Sequence, residues 1–230
     1  MLSITLRPDG RPAVVVGGGN VAARKAESLA AAGFPIFVVA TSIGARMRAL
    51  LDAGNATDAE RPYRKGDLEG AALVIAATDD DGVNERIVRD ARAERALVCD
   101  ATRPERGDFS MPAVALAGDL RIAVDSGGAS PAFSKRVAAE LRAYLAPQHA
   151  AAARTLARMR TYAKAVLPAG GDRSAVLAAL SALPVAELAA MNPSQAEDAV
   201  DASVARRAPN ETPTRSVVCA SRASALAMTQ

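Results

Sequence analysis

Between Arg11 and Pro104 the chain alternates short β-branched apolar runs with longer stretches of helical spacing, the pattern of a parallel sheet covered by helices. Ala13 to Val16 predicts the first strand. Val21 to Ala32 predicts a helix that stops at Gly33, where a residue without Cβ suits the left-handed cap. Ile36 to Ala40 predicts the second strand, Gly44 to Asp52 the second helix, and Tyr63 marks the expected third strand. Leu73-Val74-Ile75-Ala76-Ala77 is apolar on both faces, as a central parallel strand must be, and gives way to Thr78-Asp79-Asp80-Asp81. A helix over Asn84 to Arg95 and a strand over Ala96 to Ala101 complete this half.

Beyond Pro104 the pattern changes. Phe109-Ser110-Met111-Pro112 and Leu120-Arg121-Ile122-Ala123-Val124 read as strands, and Pro131 opens a helix to about Leu145. From Ala150 to Met191 the chain is rich in Ala and Leu at helical spacing, with breaks at Pro168-Ala169-Gly170-Gly171 and at Pro184. From Pro193 apolar periodicity weakens and Pro193, Pro209 and Pro213 stand among polar residues, so a mobile tail is expected there. The resulting division is 1–108, a parallel-sheet domain; 109–147, a small α+β unit; 148–192, a helical subdomain; and 193–230, the tail.

Composition narrows the classes. A chain of 230 residues, half of them apolar and 23% charged, can bury a core without disulfides. Cys99 and Cys219 have no metal or disulfide spacing and read as incidental. The longest apolar runs fall well short of the roughly 18 to 20 residues that cross a bilayer, and no signal-type segment precedes Arg7-Pro8-Asp9-Gly10, so cytoplasm is expected. A net charge of +3 without a five-residue basic run speaks against nucleic acid as a partner.

Chemistry concentrates first in Val14-Val15-Val16-Gly17-Gly18-Gly19-Asn20-Val21-Ala22, a strand running into G-x-G-x-x-A at the mouth of a helix. Gly17 permits a tight turn, Gly19 lets backbone N–H groups approach a pyrophosphate, and Ala22 lets the helix pack closely on the sheet. The pyrophosphate would rest on the positive end of the helix. These features predict a Rossmann-type dinucleotide site. An acidic ribose anchor is missing, since the second strand ends Val39-Ala40-Thr41-Ser42, and residue patterns alone do not separate NAD from NADP.

Further motifs stand in order along the chain: Ala76-Ala77-Thr78-Asp79-Asp80 with Asn84, then Asp108-Phe109-Ser110-Met111-Pro112, then Ser126-Gly127-Gly128-Ala129-Ser130-Pro131. Together with Gly17 to Lys25 they resemble the siroheme synthase N-terminal module, a family of precorrin-2 dehydrogenases, some of which are also sirohydrochlorin ferrochelatases. The resemblance covers roughly residues 1 to 190. It implies α/β architecture: a Rossmann-type NAD-binding domain, a small α+β dimerisation domain and a helical subdomain, assembled as a homodimer. It implies NAD contacts at Asn20 and Val21, at Thr41 and Ser42, and near Thr78, with precorrin-2 as substrate, sirohydrochlorin as product and Fe2+ as a second substrate in chelating members. Ser126, Gly127, Gly128 and Ser130 match the family's pocket-edge loop. Their plain reading is a helix entry, with Ser130 as N-cap and Pro131 in the first turn. Asp79 and Asp80 read as caps of the helix that follows them.

One position departs from the family pattern. Members place a catalytic Asp two residues before the Pro that corresponds to Pro104, and this chain has Thr102 there. A threonine does not ionise, so it cannot act as general base. Asp100 lies on the same face if the strand continues, displaced by about 6 to 7 Å. Asp100 and Thr102 are therefore the candidate catalytic pair. Three readings stay open: Asp100 serves as base; the dehydrogenase is impaired or repurposed, as in a non-catalytic NAD- or tetrapyrrole-binding relative; or the reaction needs no protein base. No protein metal site is predicted. His149, the single histidine, reads as a polar cap, although a neutral imidazole could also hold Fe2+. Arg103, Arg106 and Arg136 are candidates to meet the eight carboxylates expected on precorrin-2.

Overall fold

The computed structural model describes residues 2–145 and 147–207, so Cys219, Pro209 and Pro213 lie outside the described residues. Five strands, β1 (Ala13–Val16), β2 (Ile36–Ala40), β3 (Thr57–Glu60), β4 (Leu73–Ala76) and β5 (Leu97–Asp100), form one parallel sheet in the order β3-β2-β1-β4-β5. Helices α1 (Asn20–Ala31), α2 (Ala45–Asp52) and α3 (Asp81–Ala93) alternate with the strands. The chain order reverses at β1 and β4, and there all the strands' carboxyl ends point to one edge.

The alternation within the strands builds two cores. Ala13, Val15, Ile36, Val38, Leu73 and Ile75 face α1 and α2, whose Ala22, Ala23, Ala26 and Met47 are wholly buried. The three alanines let α1 lie close to the sheet. Val14, Val16, Val39, Val74, Ala76 and Val98 face Ile87, Val88 and Ala91 of α3 on the other side. Each buried Val or Ile contributes roughly 1.5 to 3 kcal/mol relative to exposure. β1 is buried at all four positions, which is why it reads as continuously apolar.

The third strand is a correction. It lies at Thr57–Glu60, not at Tyr63, and it is a largely polar edge strand that offers no apolar alternation. Tyr63 is buried on the following loop, with its hydroxyl 3.0 Å from Asp90 Oδ2. Phe109 and Met111 are not in a strand either; they pack on the α1/α2 face of the sheet. Their segment covers the outer edge of β5. The Asp108 amide donates to the Val98 carbonyl (2.7 Å), and the Asp108 carboxylate accepts from the Val98 amide (3.1 Å) while Arg92 holds its other oxygen (3.0 Å).

Strands β6 (Ala113–Ala117) and β7 (Leu120–Val124) form a separate two-stranded sheet, followed by α4 (Pro131–Tyr144). Helices α5 (Pro147–Val166), α6 (Gly171–Ser181), α7 (Val185–Ala190) and α8 (Pro193–Ala205) surround Met159, Ala163, Val176, Leu180, Leu188 and Val200. The expected tail from Pro193 is thus helical as far as Ala205. Pro193 stands in the first turn, and Asn192 and Gln195 form a reciprocal capping box with two 2.9 Å bonds. By their contacts the described residues divide into two compact units, residues 2–115 with 122–141, and residues 116–121 with 142–145 and 147–207.

The Val98 amide is buried in an edge strand, so Asp108→Ala should leave it without an acceptor and destabilise the protein by about 1 to 3 kcal/mol in urea unfolding. An unchanged midpoint would show that the edge is held by the backbone alone.

Candidate functional site

The glycine turn joins β1 to α1 under tight constraint. Gly17 has φ +130°, and a Cβ placed on it would strike the Ala77 carbonyl. A Cβ on Gly18 would strike the Ser42 carbonyl, and the Gly18 carbonyl accepts from the Gly44 amide at 3.0 Å. Gly18, a position to which the motif reading gave no role, is what brings the β2–α2 loop with Thr41 and Ser42 against the turn. Gly19 differs from both. Its backbone is extended, φ −79° and ψ −179°, and a Cβ there would meet nothing within 4 Å. Open space in front of Gly19 and no side-chain cap on α1 leave the first-turn amides of Asn20, Val21 and Ala22 without an intrahelical acceptor. The residues therefore fit an anionic diphosphate. Asn20, Val21, Thr41 and Ser42 are all exposed at this edge, where small polar groups can meet ribose hydroxyls.

At the ends of β4 and β5 a polar chain runs inward. Asn84 on α3 is fully buried, in line with Ile87, Val88 and Ala91 on the face that packs on the sheet. Its Oδ1 accepts from the Thr78 amide (3.1 Å) and lies 2.8 Å from the Thr78 hydroxyl, and its Nδ2 donates to the Thr78 carbonyl (3.0 Å). Thr78 thus directs its polar atoms to Asn84 and, through its hydroxyl, to the Asp80 backbone (3.0 and 3.3 Å), and it shapes the crevice through its position. Asn84 Nδ2 also reaches Thr102 Oγ1 at 3.3 Å. An Asn in register with the buried face of a helix was the signal available in the sequence, and it carried no role in the motif reading. Asp80 caps α3 by accepting from the Val83 amide at 2.9 Å.

Asp100 and Thr102 come together differently from the extended-strand expectation. β5 ends at Asp100 and the chain turns, so the 6 to 7 Å offset does not arise. Thr102 Oγ1 donates to Asp100 Oδ1 at 2.7 Å, and the same oxygen accepts from the amides of Thr102 and Arg103, each at 2.9 Å. Arg106 pairs with Asp100 Oδ2 at 2.9 Å and also with Asp81, which Arg103 approaches at 3.2 Å. Burial pushes the Asp100 carboxyl up, but the donors from Arg103 and Thr102 and the charge of Arg106 outweigh it and hold the carboxyl below its ordinary value. Its side chain is 0% exposed whereas Thr102 is exposed, so the residue facing solvent is the neutral one.

Ser126 to Ser130 form the entry to α4. Ser130 Oγ caps the Phe133 amide (3.2 Å), Ser126 Oγ accepts from the Ser130 amide (3.1 Å), and the Gly127 amide donates to Asp125 (2.6 Å), with Gly128 following. Ser110 ties Asp125 to the 109–112 segment at 3.1 Å. Arg136 lies over the Phe133 ring, 5.0 Å from its centroid. His149 on α5 stands 5.5 Å from the Tyr144 ring, with a buried Nδ1 that has no hydrogen-bond partner. Among the described residues no group of three or more His, Cys, Asp or Glu could hold a metal ion. No described helix is long and apolar enough to cross a membrane.

Comparison with known proteins points in one direction. Residues 4–113 match the family described as "Putative NAD(P)-binding". Siroheme synthase of Pseudomonas paraeruginosa is 38% identical over 159 residues, 69% of this chain and 34% of that protein. Siroheme synthase of Azotobacter vinelandii is 34% identical over 201 residues, 87% of this chain and 43% of that protein. The chain therefore spans well under half the length of these relatives. In fold it is similar to SirC, a precorrin-2 dehydrogenase, with a TM-score of 0.69 and 22% identity over 88% of this chain and 98% of that one.

The three glycines should separate on substitution. Gly17→Ala and Gly18→Ala force a side chain into backbone and should cost about 1 to 3 kcal/mol each or more. Gly19→Val should fold normally, yet weaken nicotinamide dinucleotide binding by more than about tenfold. Calorimetric titration of the folded variants checks this, and full affinity in Gly19→Val would remove the diphosphate from that turn.

Proposed function

We propose that the chain, similar to the siroheme synthase N-terminal module, is a member of that family and a cytoplasmic NAD-dependent precorrin-2 dehydrogenase that forms sirohydrochlorin in siroheme biosynthesis. One observation carries the reading. The open glycine turn and the Thr78–Asn84–Thr102 chain share the carboxyl edge of a single parallel sheet, at the strands where the chain order reverses. A nicotinamide bound there supplies the hydride acceptor. The protein's part is to hold the diphosphate on the first turn of α1 and the dihydro substrate against the β4 and β5 ends.

NAD is favoured over NADP by the ion pairs near β2. Arg46 is engaged by Glu27 through two bonds of 2.5 and 2.6 Å, and Arg48 is paired with Glu60. Neither stands ready for a 2′-phosphate, while Thr41 and Ser42 suit a plain ribose. Arg103 and Arg136, 56% and 69% exposed, make only exposed ion pairs, to Asp81 at 3.2 Å and to Glu140 at 3.6 Å, and are the candidates to meet substrate carboxylates, whereas Arg106 is held by the buried Asp100. Ser126, Gly127, Gly128 and Ser130 would border the substrate. Exposed Leu116, Leu120 and Tyr144, on β6, β7 and the end of α4, support a homodimer that covers them. Iron insertion would take Fe2+ as a second substrate, ligated mainly by the macrocycle's own nitrogens.

Anaerobic incubation with precorrin-2 and NAD should yield sirohydrochlorin and NADH in equal amounts, with NADP at least about tenfold less effective by kcat/KM. Binding of NAD and precorrin-2 without NADH formation would instead identify a non-catalytic relative.

A further inference from the structure

We propose that Asp100 is a positioning residue that makes the Thr102 oxygen an oriented hydrogen-bond acceptor for an N–H group of the substrate. The identity of that substrate rests on the dehydrogenase reading above. An ionised carboxylate only accepts, so the single Thr102 proton points inward to Asp100 Oδ1 at 2.7 Å. Of the two lone pairs that remain on Thr102 Oγ1, the Asn84 amide takes one at 3.3 Å. Thr102 is an exposed residue, and the other lone pair is the one assigned to a donor from outside. Macrocycles of the precorrin class carry such donors on their ring nitrogens.

Neither residue is then a general base. Thr102 does not ionise, and Asp100 is saturated: three donors meet Oδ1 and Arg106 occupies Oδ2. The charged groups around it are Arg106 from the turn, Arg103 beside it, Asp81 from α3, and the Cys99 thiol with Lys25 of α1 at 3.5 Å. The oxidation balances without a protein base. The substrate C–H bond gives its electron pair and hydrogen as hydride to NAD+, which becomes NADH, and the N–H bond of the substrate gives its proton to water.

Two measurements test this. The first needs no substrate. Thr102→Asp sets a second carboxylate beside Asp100, and two carboxylates so close cannot both ionise freely. The variant should melt below the parent at neutral pH, and the gap should close on acidification above the ordinary carboxylate range as the pair takes up a proton. A carboxyl whose folded-state pKa is raised weakens the fold fully above that value, and the penalty shrinks as pH falls from there toward the ordinary carboxylate value of the unfolded chain. A gap that does not change with pH would overturn the pairing.

The second is turnover with precorrin-2 and NAD. Thr102→Val should lower kcat about tenfold with KM for NAD unchanged, and Thr102→Ser should stay within about twofold of the parent. The parent's kcat should show no acidic limb. An acidic limb that vanishes in Asp100→Asn would make Asp100 the base and overturn the proposal, as would full activity in Thr102→Val. If the parent binds NAD but forms no NADH, the dehydrogenase reading fails, while the melting comparison still decides whether Asp100 holds Thr102.

Discussion

There is no room for a side chain between the β1–α1 turn and the two loops that flank it. A Cβ at Gly17 would enter the Ala77 carbonyl and one at Gly18 the Ser42 carbonyl. This contact of bare backbone sets how close the ends of β2 and β4 come to the amino end of α1. Ala22, Ala23 and Ala26 extend the same requirement along the helix, because larger residues would lift α1 off Val15 and Ile75. The crevice at the sheet's carboxyl edge is a product of that closeness.

The other half of the crevice depends on a buried amide and a buried carboxylate. Asn84 binds Thr78 much as a neighbouring strand would, and through Thr102 it reaches Asp100, which in turn organises the 100–106 turn with Arg106. The buried polar atoms of Asn84 and Asp100 are matched locally, which keeps them tolerable inside the fold. It also means that the carboxylate is committed to structure, and that the hydroxyl facing outward is held in one orientation.

Much of this was readable from the residues. β1 and β2 coincide with their apolar runs because both faces of the central strands are buried. The glycine motif announced its turn, and Ser130 with Pro131 announced α4. What escaped did so for physical reasons. β3 is an edge strand whose Thr57, Asp58 and Glu60 are exposed, so no apolar alternation marks it. The alternation of Phe109 and Met111 was real, but it faces a sheet rather than belonging to one. Pro193 reads equally as breaker and as first helical residue, and the Gln three places after Asn192 decides between them. The convergence of Asp100 with Thr102 depends on where a strand stops, which local composition does not reveal.

The covered flank of β5 bears on how the protein behaves when crowded. Val98 exchanges its backbone hydrogen bonds with Asp108, and Gly107 lies so near that a Cβ there would stand 3.0 Å from the Val98 carbonyl. A strand from another molecule would find no vacant ladder on that side. The opposite edge, β3, presents Asp58 and Glu60 to any approaching backbone. One border of the sheet is therefore covered by its own chain and the other carries charged side chains, Asp58 and the Glu60–Arg48 pair, two of the devices by which a parallel sheet escapes growth into intermolecular β-aggregates.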